Sequence, residues 1–364
     1  MTWIAISDHD DFMIAPGGFG PPAGEPDLDG MPGDALMVRG SLVIETRVPT
    51  TRRPRPLVSY KRGGDWPLHL SLQVVPGGGL TLILDQGGEV LHRTINHSET
   101  GRADVLRITY SWDAHNRVGR LALERTDQDT VILLPVASPK PLRYSDALAL
   151  IRPGEGRYVA PDVLYLALST AIEPVGPMPS LMPDTPVATP KGYRPVCEMR
   201  RGDTVLTPEG ETVPVLHVLS RQVPASGSFH PVRMRAPYFG LLQDITVAPS
   251  QRLVLSGSEV EYLFGRESVL VPACHLAGGT TAKIAVSGPV VTYWQLVLPD
   301  HQALLVAGTS AESLYIARLR RKKAELNASL LAGCDRNSLP EHGKLIHPVL
   351  RPFDAQILAE QRAA

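Results

Sequence analysis

The chain has 364 residues, room for two or three domains. Its 36 basic and 37 acidic side chains leave a net charge of −1, which gives no electrostatic basis for nucleic acid or an anionic membrane as partner. Hydrophobic residues make up 43% and aromatic residues only 5%, so the cores should be aliphatic. The 32 Gly and 34 Pro favour many short strands joined by turns.

The opening MTWIAISDHDDFMIAPGG lacks the basic start and apolar core of a secretory signal, and no apolar run approaches the ~18 residues of a membrane span. The expectation is a soluble protein made in the cytosol; a C-terminal export signal would escape this reading, so its final location stays open. Cys197, Cys274 and Cys334 form an odd set without regular spacing, which argues against a disulfide framework and a zinc site. No cofactor is expected.

Residues 1–36 read as an irregular lead-in with one strand at Trp3–Ser7. Asp8, Asp10 and Asp11 could hold Ca²⁺, but they lack the spacing of a calcium loop and read as a solvated one. From residue 37 to 173 the pattern is β. The runs 41–48, 68–75, 80–84 and 105–111 are rich in β-branched residues, and the Gly77–Gly79 and Gly87-Gly88 clusters mark turns. The segment 112–117, WDAHNR, reads as a hairpin tip leading into 120–125. Three prolines between Pro174 and Met182 mark a boundary.

A second series of short strands follows, at 186–189, 204–207, 213–219, 232–235, 245–247, 253–255, 269–271 and 291–298. Near the end, Thr309-Ser310-Ala311-Glu312 has capping-box spacing, which predicts a helix running toward Gly333 as its C-terminal cap. Its basic stretch Arg318–Lys323 reads as a solvated face. Cys197 and Cys274 read as small core residues in strands or at their ends.

The segment Thr185–Thr207 carries the strongest signal: Ala188-Thr189-Pro190, Gly192, Val196, Met199, Gly202-Asp203, Val205 and Thr207. It resembles the opening of bacterial hedgehog/intein (Hint) domains. The segments 244–257, 270–279 and 292–313 resemble that family's later blocks, in the right order. The resemblance covers residues 180–313. It implies an acyl shift, in which the first residue of the domain attacks the preceding carbonyl to give an ester or thioester that a second nucleophile resolves.

Carried over residue by residue, the resemblance puts the nucleophile at Ser180, where the family usually has Cys, and the scissile bond at Pro179–Ser180. The family's hydroxyl and imidazole positions fall on Ala248 and Gln251. Gln can donate to an oxyanion but cannot protonate a leaving nitrogen. Ser250, if in a strand, would point to the opposite face. His275 and the pair Asp300-His301 match later polar positions and are candidate substitutes, or else ordinary surface or hydrogen-bonded residues. The terminal His-Asn pair of inteins is absent, with Thr309 and Ser310 read in its place, so full splicing is not expected.

The first region resembles a concanavalin or laminin-G-like jelly roll, chiefly through Val105–Glu124. That resemblance implies a glycan or protein ligand. Trp66 and Trp112 could stack on sugar rings or pack in the core. The expected fold is mainly β: a jelly-roll β-sandwich, a Hint β domain at 180–313, and a short helical tail at 314–364. The implied function is self-processing with the chain as its own substrate, in weakened form; the alternative is a non-catalytic binding protein.

Overall fold

The computed structural model describes residues 3–8, 11–19, 35–48, 53–96, 104–126, 128–285 and 287–363. Asp10, one of the three acidic residues considered for calcium, lies outside them. The chain is mainly β and divides into two units, Met1–Gly176 and Pro177–Ala364.

The first unit is built mainly from two antiparallel sheets, beside a two-stranded pair of Leu36–Met37 with Leu142–Arg143. One has seven strands in the spatial order Val131–Ala137, Val118–Arg125, Asp104–Asp113, Arg39–Val48, Val163–Ser169, Trp3–Ser7 and Phe12–Ile14. The other has five, in the order Arg157–Val159, Arg55–Arg62, Leu68–Val75, Gly79–Gln86 and Glu89–Asn96. Alternate residues of both sheets enter one aliphatic core. Leu42, Ile44, Ile108 and Leu166 come from the first sheet, and Val58, Leu70, Leu72 and Leu82 from the second. Period-two alternation makes such a two-sheet packing, because the inward residues of each strand share one core.

Trp3–Ser7 is fully buried and pairs with Val163–Ser169. The strand expected at Trp3–Ser7 forms, and it joins the lead-in to the seven-stranded sheet. Gly77 and Gly78, both at positive φ near 82°, turn the chain between Leu68–Val75 and Gly79–Gln86. Trp112 is buried, with its indole N–H donating to the Met37 carbonyl at 2.9 Å. It is a core residue and offers no face to a sugar. Trp66 is 41% exposed.

The second unit holds a six-stranded sheet in the order Gly192–Pro195, Pro186–Thr189, Ala303–Val306, Thr309–Glu312, Arg252–Ser256 and Ser268–Pro272. A long pair, His217–Pro224 with Val290–Val297, and a three-stranded sheet of Ile245–Val247, Val232–Met234 and Ala282–Ile284 complete its main body. The Gly202-Asp203 turn forms as its residue types require. Gly202 has φ +90°, and the Asp203 carboxylate accepts the Arg200 N–H at 2.9 Å.

Three local expectations are corrected. Thr309–Glu312 is a strand, not a helix start; it pairs with Ala303–Val306. Tertiary partners outbid the capping pattern: the Thr309 hydroxyl donates to the Phe239 carbonyl, and Glu312 turns to Arg252 and His301. The helices of this end are Lys323–Ala328 and Pro352–Ala363. Cys274 is exposed on the short helix Ala273–Leu276 rather than a small core residue. Ser250 lies in a turn rather than a strand, with the Gln251 N–H donating to the Ala248 carbonyl.

Gly40 tests how closely the first unit is packed. A Cβ there would stand 2.8 Å from the Ser169 main-chain oxygen and 2.8 Å from the Trp112 ring. Gly40→Ala should cost about 1–3 kcal/mol and lower the thermal midpoint. A melting curve superimposable on that of the unaltered chain would show that this strand pairing has slack.

Candidate functional site

Ser180 enters the second unit between two strands. Its neighbour Leu181 bridges both Val247 and Trp294. The N–H groups of Ser180 and Leu181 both donate to the Trp294 carbonyl, at 3.3 and 2.9 Å, and Trp294 N–H returns a bond to the Leu181 carbonyl at 2.7 Å. The Ser180 carbonyl accepts the Ala248 N–H at 2.7 Å. Backbone pairing on both sides thus fixes the serine before its side chain makes any contact.

The side chain is buried among carboxamides. Ser180 Oγ donates to Gln251 Oε1 at 2.6 Å. Gln295 Nε2 lies 3.1 Å from Ser180 Oγ, 3.0 Å from Gln251 Oε1 and 3.2 Å from the Glu312 carbonyl oxygen. Gln251 Nε2 in turn donates to the carbonyls of Arg252 and Glu312, at 2.8 and 3.2 Å. The turn Ala248–Gln251 delivers Gln251 to this place, and Ala273 N–H holds its carbonyl at 2.8 Å. Ala248 contributes only a methyl group.

A charged cluster begins at the side chain of Glu312. Its carboxylate lies 3.2 Å from Arg252 Nη1 and 3.0 Å from His301 Nε2, the latter contact off-line for a hydrogen bond. All three side chains are buried. A buried carboxylate needs such partners, because desolvation opposes an unpaired charge.

Of the residues expected from the sequence, the structure brings Ser180 and Gln251 together. His301 reaches them only through Glu312. Asp300 is exposed in the turn before His301. His275 is half-buried on the helix Ala273–Leu276, with Nδ1 3.4 Å from Cys274 Sγ. Among the described residues, neither shares a hydrogen bond with Ser180. From the last hairpin it is Glu312, not Thr309 or Ser310, that meets the two glutamines around the serine. Gln295 and Glu312 escaped the sequence reading. The only signal for Gln295 was a lone amide on the otherwise apolar buried face of Val290–Val297, a strand whose inner positions should be aliphatic.

Chemically, the cluster orders a hydroxyl without activating it. A carboxamide oxygen accepts a hydrogen bond but is not a base near neutral pH, so Ser180 keeps its proton.

Residues 179–318 match the family model described as the Hint domain. The second unit therefore carries a Hint domain. No curated protein matches the chain. Among solved structures, the bacterial intein-like domain from Clostridium thermocellum is similar at 14% identity and TM-score 0.29, covering 37% of this chain and 99% of that one. The MchDnaB-1 intein (N145AA) is similar at 15% identity and TM-score 0.25, over 37% of this chain and 99% of that one. The CBM40 of the Ruminococcus gnavus IT-sialidase, bound to alpha2,3 sialyllactose, is similar at 15% identity and TM-score 0.25, over 36% of this chain and 75% of that one. Likenesses at this level say nothing of activity.

Gln295→Leu removes the donor shared by Ser180, Gln251 and Glu312. It should destabilise the second unit by about 1–3 kcal/mol, read as a lower denaturation midpoint at an unchanged slope. A midpoint within error of the unaltered chain would mean that the three acceptors find other partners.

Proposed function

From a Hint domain at residues 179–318, a fold of the self-processing lineage, we propose a weakened autoprocessing unit whose single reactive bond is Pro179–Ser180. The observation that carries this reading is the 2.6 Å bond from the buried Ser180 hydroxyl to Gln251. The hydroxyl sits at the domain's first position, and its partner is the residue at the family's imidazole position.

The step itself is an N-to-O acyl shift. Ser180 Oγ attacks the Pro179 carbonyl carbon, the C–O bond forms, and the C–N bond to Ser180 breaks. The hydroxyl proton ends on the departing amine. Water or an added nucleophile then opens the ester, freeing residues 1–179 from 180–364. The Trp294 carbonyl, which accepts the Ser180 N–H at 3.3 Å, keeps the departing nitrogen in place. What the cluster lacks is a group to carry the proton. Loss of one general acid or base typically slows such a step by ~10²–10⁴. Asp300 and His275 stay secondary candidates in this reading, as they stand apart from the serine.

The second reading is a binding protein that keeps the Hint scaffold after its chemistry is lost, with a glycan or protein ligand on a concanavalin or laminin-G-like first unit. The partial exposure of Trp66 favours it. Lys140 Nζ lies over that ring, 6.0 Å from its centroid, and 2.7 Å from Glu89, so an apolar ring and both charges stand together at the surface.

Incubation of the full chain with hydroxylamine separates the two. Mass spectrometry should find fragments 1–179 and 180–364 accumulating slowly; an intact chain after days would leave only the binding reading. Gln251→His returns an imidazole to the serine and should raise the cleavage rate by about 10²-fold or more. No gain in that variant would count against Gln251 as the missing acid-base position.

A further inference from the structure

The chain beyond the Hint match folds back on the second unit. Leu319, Leu326, Leu331 and Leu339 close a small core with Val297, Leu314 and Ile316. Beneath this return lie two buried histidines, His301 and His342. Each ring accepts a main-chain N–H at Nδ1: His301 from Ile346 at 3.1 Å, His342 from Ile316 at 3.2 Å. An accepting Nδ1 assigns the neutral tautomer with its hydrogen on Nε2. In His342 that hydrogen is directed at the Leu298 carbonyl, 3.1 Å away. In His301 it faces the side of Glu312. A ring that gains a second proton must give up its N–H partner, because donor would then face donor.

We propose that His301 and His342 form an acid-sensitive clasp, which holds residues 342–347 over the His301 side of the second unit and lets that segment open when the rings are protonated.

The charged and titratable surroundings are compatible with that direction. Tyr315 packs beside both rings, 4.8 Å from His301 and 6.1 Å from His342, and the two imidazoles are 5.7 Å apart, so the three form a triangle. Burial pushes the His342 imidazole below its ordinary range, and nearby His301 adds to this; the Leu298 carbonyl and Asp300 oppose it. Burial likewise pushes His347 down, with His301 adding and Glu209 and Glu267 opposing. Glu312 faces His301, but Arg252 already shares that carboxylate, and an imidazolium there would still lose Ile346. Glu341, beside His342, is held down to about 2 by Arg321 and Arg320, so it stays ionised and does not drive the change.

The sign follows from His342. Released, its imidazole returns to about 6.5; clasped, it lies lower. The open form therefore binds more protons. The clasp is fully formed above about pH 6.5 and weakens as pH falls below it. The opening is local, because Leu270 exchanges non-titrating main-chain bonds with Pro348 and Leu350, at 2.8 and 2.9 Å, just beyond the segment.

Amide hydrogen exchange on the full chain, followed by NMR at pH 7.5 and 5.5 and corrected for intrinsic rates, tests this. Protection of the Ile316 and Ile346 amides should fall at pH 5.5, by up to about tenfold for each ring that takes up a proton, while that of Leu270 and Leu350 holds. In the double variant H301N/H342N each carboxamide oxygen stands near the lost Nδ1 and cannot titrate, so protection should be the same at both pH values. Equal protection at both pH values in the unaltered chain, or an equal fall in the double variant, would overturn the clasp. Should the double variant not fold, ring ¹⁵N shifts of the unaltered chain decide instead. Rings that become doubly protonated together with loss of Ile316 and Ile346 protection support it. Rings that stay neutral to pH 5, or that titrate with both amides still protected, refute it.

Discussion

Gln295 is the joint around which the second unit closes. Its amide nitrogen meets oxygens from three separate stretches of chain: the entry at Ser180, the turn that carries Gln251, and the last hairpin at Glu312. Its own oxygen is held by the Leu296 N–H at 3.1 Å. Each of these groups is cut off from water, so each must be satisfied by the others. Replacing any member leaves a donor or acceptor stranded, at a cost larger than the bond itself was worth. The cluster is neutral throughout, and its strength is accordingly insensitive to pH and salt.

Glu312 is where this neutral cluster meets a charged one. Its carbonyl accepts from both glutamines, and its carboxylate is shared by Arg252 and His301. One residue thus couples the serine to the histidine side of the unit without placing any charge against the serine. Between the His301 ring and the Ser180 hydroxyl stand two carboxamides and a peptide group.

How much of this was legible in the sequence depends on the range of the interaction. Strands set by period-two alternation and turns set by Gly and Asp are local properties, and Gly202-Asp203 or Gly77-Gly78 announce themselves. The pairing of Ser180 with Gln251 was readable through ordered blocks, because the resemblance carries a spatial relation that spacing alone does not. Gln295 was not readable: a single amide within Val290–Val297 leaves the alternation almost intact, and its meaning comes from partners far along the chain. The TSAE segment failed for a related reason. Its capping pattern is real as a local preference, yet pairing with Ala303–Val306 and burial of Thr309, Ala311 and Glu312 outweigh a bond or two at a helix end. Trp112, by contrast, left two readings open from sequence alone, and one hydrogen bond to Met37 closes the question.

The docking of the C-terminal segment has a consequence for where this module ends. The family likeness stops at residue 318, but the aliphatic cluster that begins with Val297 and Leu314 is completed only by Leu319 to Leu339, and the main core of the unit takes in Leu350, Ala355 and Leu358. The family match and the packed core of the second unit therefore have different ends. A chain severed at the first boundary would present a raw apolar face, so any exchange of this domain between proteins has to carry its final forty-odd residues along.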